Sequence, residues 1–204
     1  MKSSTTATIR TFIAIDLPAE LKQEIASVQS RLKPLFNRAK VSWVKPENIH
    51  LTLKFLGDVL PSDIPKIIKA CEGIKQKPIP ELTIDRIGFF PGQRKPKVLW
   101  CGYDRSDALV ETQRYIENAL VPCGFDAEEK PFVSHLTLAR IKEIGSRPGA
   151  PFYVDMDDVQ KEIDRIPISF AHSVRGIKLI KSRLSPKGSE YSVLHEWSFQ
   201  QSRL

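Results

Sequence analysis

The tetrapeptide His-Leu-Thr-Leu occurs twice, as His50-Leu51-Thr52-Leu53 and unchanged as His135-Leu136-Thr137-Leu138. The 204 residues hold four histidines and eight threonines, so a threonine two places after two of those histidines is a coincidence of about one in a hundred. In a strand, residues i and i+2 share a face. His50 with Thr52, and His135 with Thr137, then point one way while the leucines point into a core. Two such strands side by side bring two imidazoles and two hydroxyls to one cleft.

That set of groups suits phosphodiester cleavage. The reaction needs a base for the attacking oxygen and an acid for the departing one, and histidine serves as either near neutral pH. Threonine hydroxyls donate hydrogen bonds to the non-bridging oxygens, where charge accumulates in the transition state. The chemistry requires no metal, and none is expected. Zinc would need three or four ligands, and the remaining histidines, His172 and His195, have no ligand-like neighbourhood. Both are read as structural or surface residues.

The elements that must position these groups alternate along the chain. Strands are expected over 11–15, 41–44, 49–55 and 82–89. Helices are expected from Pro18 to Pro34, on the spacing of Leu21, Ile25, Val28 and Leu32, and from Ser62 or Asp63 through Ile64, Ile67, Ile68 and Cys71. The same order restarts with a strand over 98–101, a helix carrying Leu109, Thr112, Ile116 and Leu120, and a strand over 132–138. A short acidic helix over 158–164 and a strand pair around 177–180 and 191–199 follow. Ala14 precedes His50 by 36 positions and Trp100 precedes His135 by 35. A period near 85 residues is too long for a solenoid. It predicts an α+β fold of two lobes related by a pseudo-twofold axis, each a small mostly antiparallel sheet with helices outside, forming one bilobal domain over 1–204.

Composition sets the partner class. There are 31 Lys+Arg against 24 Asp+Glu, a formal charge of +7, which favours a polyanion. The excess is uneven. Over 166–188 there is no acidic residue but Arg175, Lys178, Lys181, Arg183 and Lys187; the loop 92–97 holds Arg94, Lys95 and Lys97. Both segments are expected to flank the cleft and guide an RNA backbone, with the loop 92–97 in the first lobe. Trp43 and Phe55 are candidates for stacking on a base, against an ordinary core-packing role. Cys71, Cys101 and Cys123 lack close spacing and are read as reduced packing residues. The first apolar run is too short for a signal or a membrane span, so a cytoplasmic, non-membrane protein is expected.

The two motifs in their flanks, Asn48-Ile49-His50-Leu51-Thr52-Leu53-Lys54-Phe55-Leu56-Gly57 and Phe132-Val133-Ser134-His135-Leu136-Thr137-Leu138-Ala139-Arg140, resemble the 2H phosphoesterase superfamily. The likeness is to its RNA 2′,3′-cyclic phosphodiesterase branch, also called the 2′-5′ RNA ligase family. The opening Arg10-Thr11-Phe12-Ile13-Ala14-Ile15-Asp16-Leu17-Pro18 and the segment from Ser182 to Tyr191 are similar to it too. The resemblance implies cofactor-free opening of RNA 2′,3′-cyclic phosphate ends, tRNA halves among them, to 2′-phosphates. It implies that His50 protonates the departing 3′ oxygen, that His135 activates water, and that Arg140 binds phosphate. Arg140 lies three residues beyond Thr137, so its strand must end or bulge to bring it to the cleft. Ser134 stands where the family commonly has proline, which leaves the strand intact but less stiff at its entry. Two alternatives stay open: an RNA- or nucleotide-binding module without turnover, and a phosphodiesterase for a small nucleotide. No obligate protein partner is expected, and a monomer is.

Overall fold

The computed structural model describes residues 7–79, 81–145, 147–186 and 188–199. In chain order these form β1 (Ile9–Asp16), α1 (Ala19–Leu32), β2 (Lys40–Trp43), β3 (His50–Val59), α2 (Ile64–Ala70), β4 (Glu81–Phe90), β5 (Val98–Tyr103), α3 (Asp107–Leu120), β6 (His135–Glu143), α4 (Met156–Asp164), β7 (Phe170–Ser173), β8 (Gly176–Ser185) and β9 (Gly188–Ser198). The strands pair antiparallel in the order β7-β4-β5-β6-β3-β1-β8-β9, with β2 added beside β6. The fold is α+β, as the alternation of periods indicates.

Two four-stranded halves, β3-β1-β8-β9 and β6-β5-β4-β7, meet at β3 and β6. The only Cα partners described between those strands are Leu51 and Leu136, the second residues of the two motifs. The pseudo-twofold axis therefore passes between the motifs. The lobes are not the two halves of the sequence, however. β4 leaves the first half to pair with β5 and β7, and the β8–β9 hairpin leaves the second half to pair with β1. The loop 92–97, between β4 and β5, thus belongs to the lobe of His135 and not to that of His50. Strand periodicity tells which face a residue takes but not which strand lies beside it, and the exchange left no trace in the pattern.

The main core lies on one face of the sheet. Ile13 and Ile15 of β1, Leu51 and Leu53 of β3, and Leu136 and Leu138 of β6 are all buried in it. Helix α1 buries Leu21, Ile25, Val28, Gln29 and Leu32, and α3 buries Leu109, Thr112, Gln113, Ile116, Glu117 and Leu120. Both are stripes at helical spacing, and Ser106 caps α3 by accepting from the Leu109 amide. On the opposite face Phe12, Ala14 and Ile180 form a small second cluster with Tyr191 against it. That face carries the cleft. Among the described residues no helix is long and apolar enough to cross a membrane.

Candidate active site

A cleft of about 1240 Å³ opens on this face, and His50, Thr52, His135 and Thr137 all line it. Alternation along β3 and β6 puts each His–Thr pair there, while Leu51, Leu136 and Leu138 are buried on the other side. A bulge then breaks the alternation in both strands. In β6, Thr137 pairs with Trp100 and Ala139 with Leu99, so Leu138 is the extra residue. In β3, Thr52 pairs with Ala14 and Lys54 with Ile13, so Leu53 is extra. Each bulge turns the fifth residue after the histidine back to the cleft face. In β6 that residue is Arg140, and in β3 it is Phe55; both line the cleft. A second shift in β3 is relaxed at Gly57, whose φ of 72° favours glycine.

Each bulge is braced by the helix of the other sequence half, and the brace at β3, Lys54 with Gln113 and Glu117, also lines the cleft. Gln29 of α1 donates from Nε2 to the Leu138 carbonyl (3.0 Å) and the Val44 carbonyl (2.8 Å), locking β2 to β6 at the bulge. Glu117 of α3 does the corresponding work at β3. It pairs with the buried Lys54 ammonium and accepts from Gln113 Nε2 (2.9 Å) and the Glu128 amide (3.1 Å). Lys54 also donates to the Asp126 carbonyl at 2.8 Å. The buried pair so fastens to β3 a segment that lines the cleft with Asp126, Glu128 and Lys130.

The two imidazoles are tethered identically. Nδ1 of His50 lies 2.8 Å from the Asn48 carbonyl, and Nδ1 of His135 lies 2.8 Å from the Val133 carbonyl. A carbonyl only accepts, so each Nδ1 carries the proton and donates, leaving Nε2 as the nitrogen that exchanges protons. Ser134 in place of proline leaves this geometry the same in both copies. Asn48 is fixed in turn, donating from Nδ2 to the Ser189 carbonyl at 2.7 Å.

Their surroundings differ. His50 stacks on Phe12 (ring centroids 4.6 Å apart) and meets Tyr191 edge-on at 5.3 Å. Burial by these rings is the largest influence on its pKa and lowers it below the ordinary 6.5; the hydrogen bond to Asn48 and the charge of Asp16 oppose this without cancelling it. Asp16 is itself held below the usual carboxylate range. Burial would raise it, but Lys22 (2.7 Å) and Lys178 (2.9 Å) bind it and prevail. His135 touches Phe90 edge-on at 5.0 Å, and Phe90 stacks on Trp100 at 4.9 Å.

Neither threonine hydroxyl nor the Arg140 guanidinium has a hydrogen-bond or ion-pair partner among the described residues, so all are free to meet a ligand. Phe55 is 57% exposed at the cleft wall, which sets aside a core role. Trp43 is half-buried, packs edge-on against Phe36 at 6.1 Å, and also lines the cleft. Arg10, Phe12, Phe90, Ser182 and Tyr191 line it too and were not foreseen. Phe12 and Ala14 sit in a strand whose other face is equally buried, so β1 reads as a continuous apolar run with no sign of a cleft side.

The basic segments are the main correction. Among the described residues of 166–188, those that reach the cleft are Ser182, Leu184 and Gly188, and Arg175, Lys178, Lys181 and Arg183 do not. Lys181 and Arg183 alternate with Ser182 and Leu184 onto the other face, and Lys178 is engaged by Asp16. Lys187 lies outside the described residues. The loop 92–97 lines a separate pocket. His172 is buried, accepting from the Tyr103 hydroxyl at Nε2 (3.0 Å) and donating from Nδ1 to the Ser173 carbonyl, and His195 packs on Trp197. Both lie outside the cleft. Among the described residues no three His, Cys, Asp or Glu side chains gather as metal ligands.

A cleft floored by twin His–Thr pairs on adjacent strands holds the groups that acid–base cleavage of a phosphodiester would use. The family model described as "LigT like Phosphoesterase" matches residues 15–100 and 103–191. The chain therefore belongs to the LigT-like phosphoesterase family, a family of enzymes. Among its relatives is an RNA 2′,3′-cyclic phosphodiesterase of Thermotoga maritima, 34% identical over 195 residues, covering 94% of this chain and 96% of the relative. Another, of Methanocaldococcus jannaschii and with the same name, is 34% identical over 93% of this chain and all of its own. Among solved structures, Escherichia coli LigT complexed with 3′-AMP superposes with a TM-score of 0.72 at 25% identity, over 95% of this chain and 99% of that one.

Proposed function

We propose that the protein opens RNA 2′,3′-cyclic phosphate ends to 2′-phosphomonoesters without a metal, using His50 and His135 as the proton-transfer pair. The observation that carries this reading is the twin tethering, in which two imidazoles in one cleft are both fixed through Nδ1 and both free at Nε2. Water attacks phosphorus and gives its proton to Nε2 of His135. The P–O3′ bond breaks, and His50, protonated at Nε2, supplies the proton that makes the 3′-hydroxyl. This assignment of roles follows the family resemblance. The cyclic diester carries a negative charge, which favours the imidazolium form of His50 that burial disfavours in the free protein.

Thr52 and Thr137 donate to the non-bridging oxygens, Arg140 offers two parallel N–H groups to the phosphate, and Phe55 and Trp43 give apolar faces to a base. If a 5′-hydroxyl replaces water, the same proton transfers yield a 2′-5′ junction. We infer further that the chain acts as one bilobal unit, a cytoplasmic monomer with no obligate protein partner.

The test is an RNA with a 2′,3′-cyclic phosphate end incubated in EDTA, with the product end identified. A 2′-phosphate is expected. A 3′-phosphate would reverse the leaving oxygen, loss of turnover in chelator would remove the metal-free mechanism, and tight RNA binding with no product would make the cleft a binding module.

A further inference from the structure

The separate pocket lies where β6 ends, with a volume of about 930 Å³, and Arg94, Lys95, Lys97 and Lys142 line it together with Phe152 and Tyr153. Arg140 of the cleft and Lys142 of this pocket are two residues apart on the same face of β6, about 7 Å along an extended strand. Beside them β2 gives Ser42 to the cleft and holds Lys40 over the Phe152 ring at 4.6 Å. The two sites are successive stations on one face.

Acidic groups also line the pocket, but two of the three are engaged. Glu143 is paired with Lys40 at 2.8 Å, and Asp155 caps α4, accepting from the amides of Asp157 and Asp158. Asp157 sits in the first turn of that helix, where the backbone amides favour a negative charge. Arg94, Lys95, Lys97 and Lys142, in contrast, have no ion-pair partner among the described residues. The loop that carries three of them is fastened at several points. Gln93 donates to Gln160 of α4, the Lys97 amide to the Phe90 carbonyl (2.7 Å), and the Ile141 amide to the Lys97 carbonyl (2.8 Å); Pro96 is buried. Four exposed cations without countercharges, on a fastened loop and a strand end, are costly for a lone fold and useful to a polyanion.

We propose that this pocket is a second binding site, which holds the phosphates upstream of the reacting end as the RNA chain runs from the cleft along β6. The proposal rests on the cyclic phosphodiesterase reading and adds a phosphate-binding site to it. The experiment compares a nucleoside 2′,3′-cyclic monophosphate with an oligoribonucleotide carrying the same end, for the intact protein and for the triple variant Arg94→Gln/Lys95→Gln/Lys142→Gln. The expected result is a higher kcat/KM for the oligomer. In the triple variant that value falls about tenfold and its log–log salt slope becomes shallower by about 2, with the mononucleotide rate unchanged. Equal losses on both substrates, or no loss on the oligomer, would overturn the proposal while leaving the cyclic phosphodiesterase reading in place. If the intact protein opens neither substrate, that reading falls and the proposal falls with it.

Discussion

The strands β3 and β6 carry the same four residues in different settings, so the molecule contains its own control experiment. Both present His and Thr to the cleft, both bulge at the motif's last leucine, and both tether Nδ1 to a carbonyl two residues back. Three things differ: the rings around the imidazole, the group that braces the bulge, and the residue that the bulge turns inward. In the proposed reaction, the duplicated part is what proton transfer needs twice. The diverged part is what a substrate with two unlike ends, a phosphate and a base, would need once each.

The sharpest way to break the equivalence is to remove one imidazole at a time. His50→Ala and His135→Ala are each expected to lower kcat by about 10² or more with the fold intact, as seen by circular dichroism. If one variant keeps near-full activity, only the other strand is catalytic and the symmetry is merely structural.

The supports of the bulges should separate next. Glu117→Gln leaves the Lys54 ammonium buried without a countercharge, and loss of one partner of such a pair typically costs about 3–5 kcal/mol. Gln29→Ala removes two neutral hydrogen bonds and should cost less, about 1–3 kcal/mol. Denaturant unfolding of the two variants measures the difference. Equal costs would mean that the ion pair is no more than a substitute for the amide.

The inward-turned residues should divide by kinetics. Arg140→Ala loses the charge-assisted hydrogen bonds to phosphate and should reduce kcat/KM by about 10- to 100-fold whatever the base. Phe55→Ala should act more weakly, about 5- to 50-fold, through KM, and more on purine than on pyrimidine ends if a base stacks there. Identical base dependence for the two variants would remove the division of labour.

How much of this could be read beforehand follows from what a strand's period conveys. The period of two placed His50, Thr52, His135 and Thr137 on one face, and the three-residue step to Arg140 demanded the bulge that β6 contains. Phe55 occupies the corresponding step in β3, but there its aromatic ring was the only signal, and the β3 bulge that turns it inward is seen only in the pairing with β1. Periodicity is silent on neighbours across the sheet. Phe12 and Tyr191 come to His50 from strands 38 residues before it and 141 after it. The exchange of β4 and the β8–β9 hairpin between lobes is a choice of edge, which side-chain order does not encode. A count of cations over 166–188 carries no sign of the alternation along β8 that puts Ser182 and Leu184, not Lys181 and Arg183, in the cleft.

The smallest effect tests why the two histidines should differ at all. With Phe12 stacked on it and Tyr191 at its edge, His50 is expected by NMR to titrate below 6.5. In the window between that lowered midpoint and the unfolded value, the unfolded chain binds more protons than the native one. This contribution to stability is therefore fully present above 6.5 and is lost as pH falls through the folded midpoint. Phe12→Ala lets water reach the ring, so the midpoint should rise and the pH dependence of stability in that window should flatten. Asp16→Asn removes a charge that favours the imidazolium, so the midpoint should fall. Inorganic phosphate in the cleft should raise it, as the proposed acid role of His50 requires. A midpoint already at or above 6.5 would show that the aromatic surroundings do not disfavour the imidazolium of His50, and one that ignores phosphate would remove its proposed acid role.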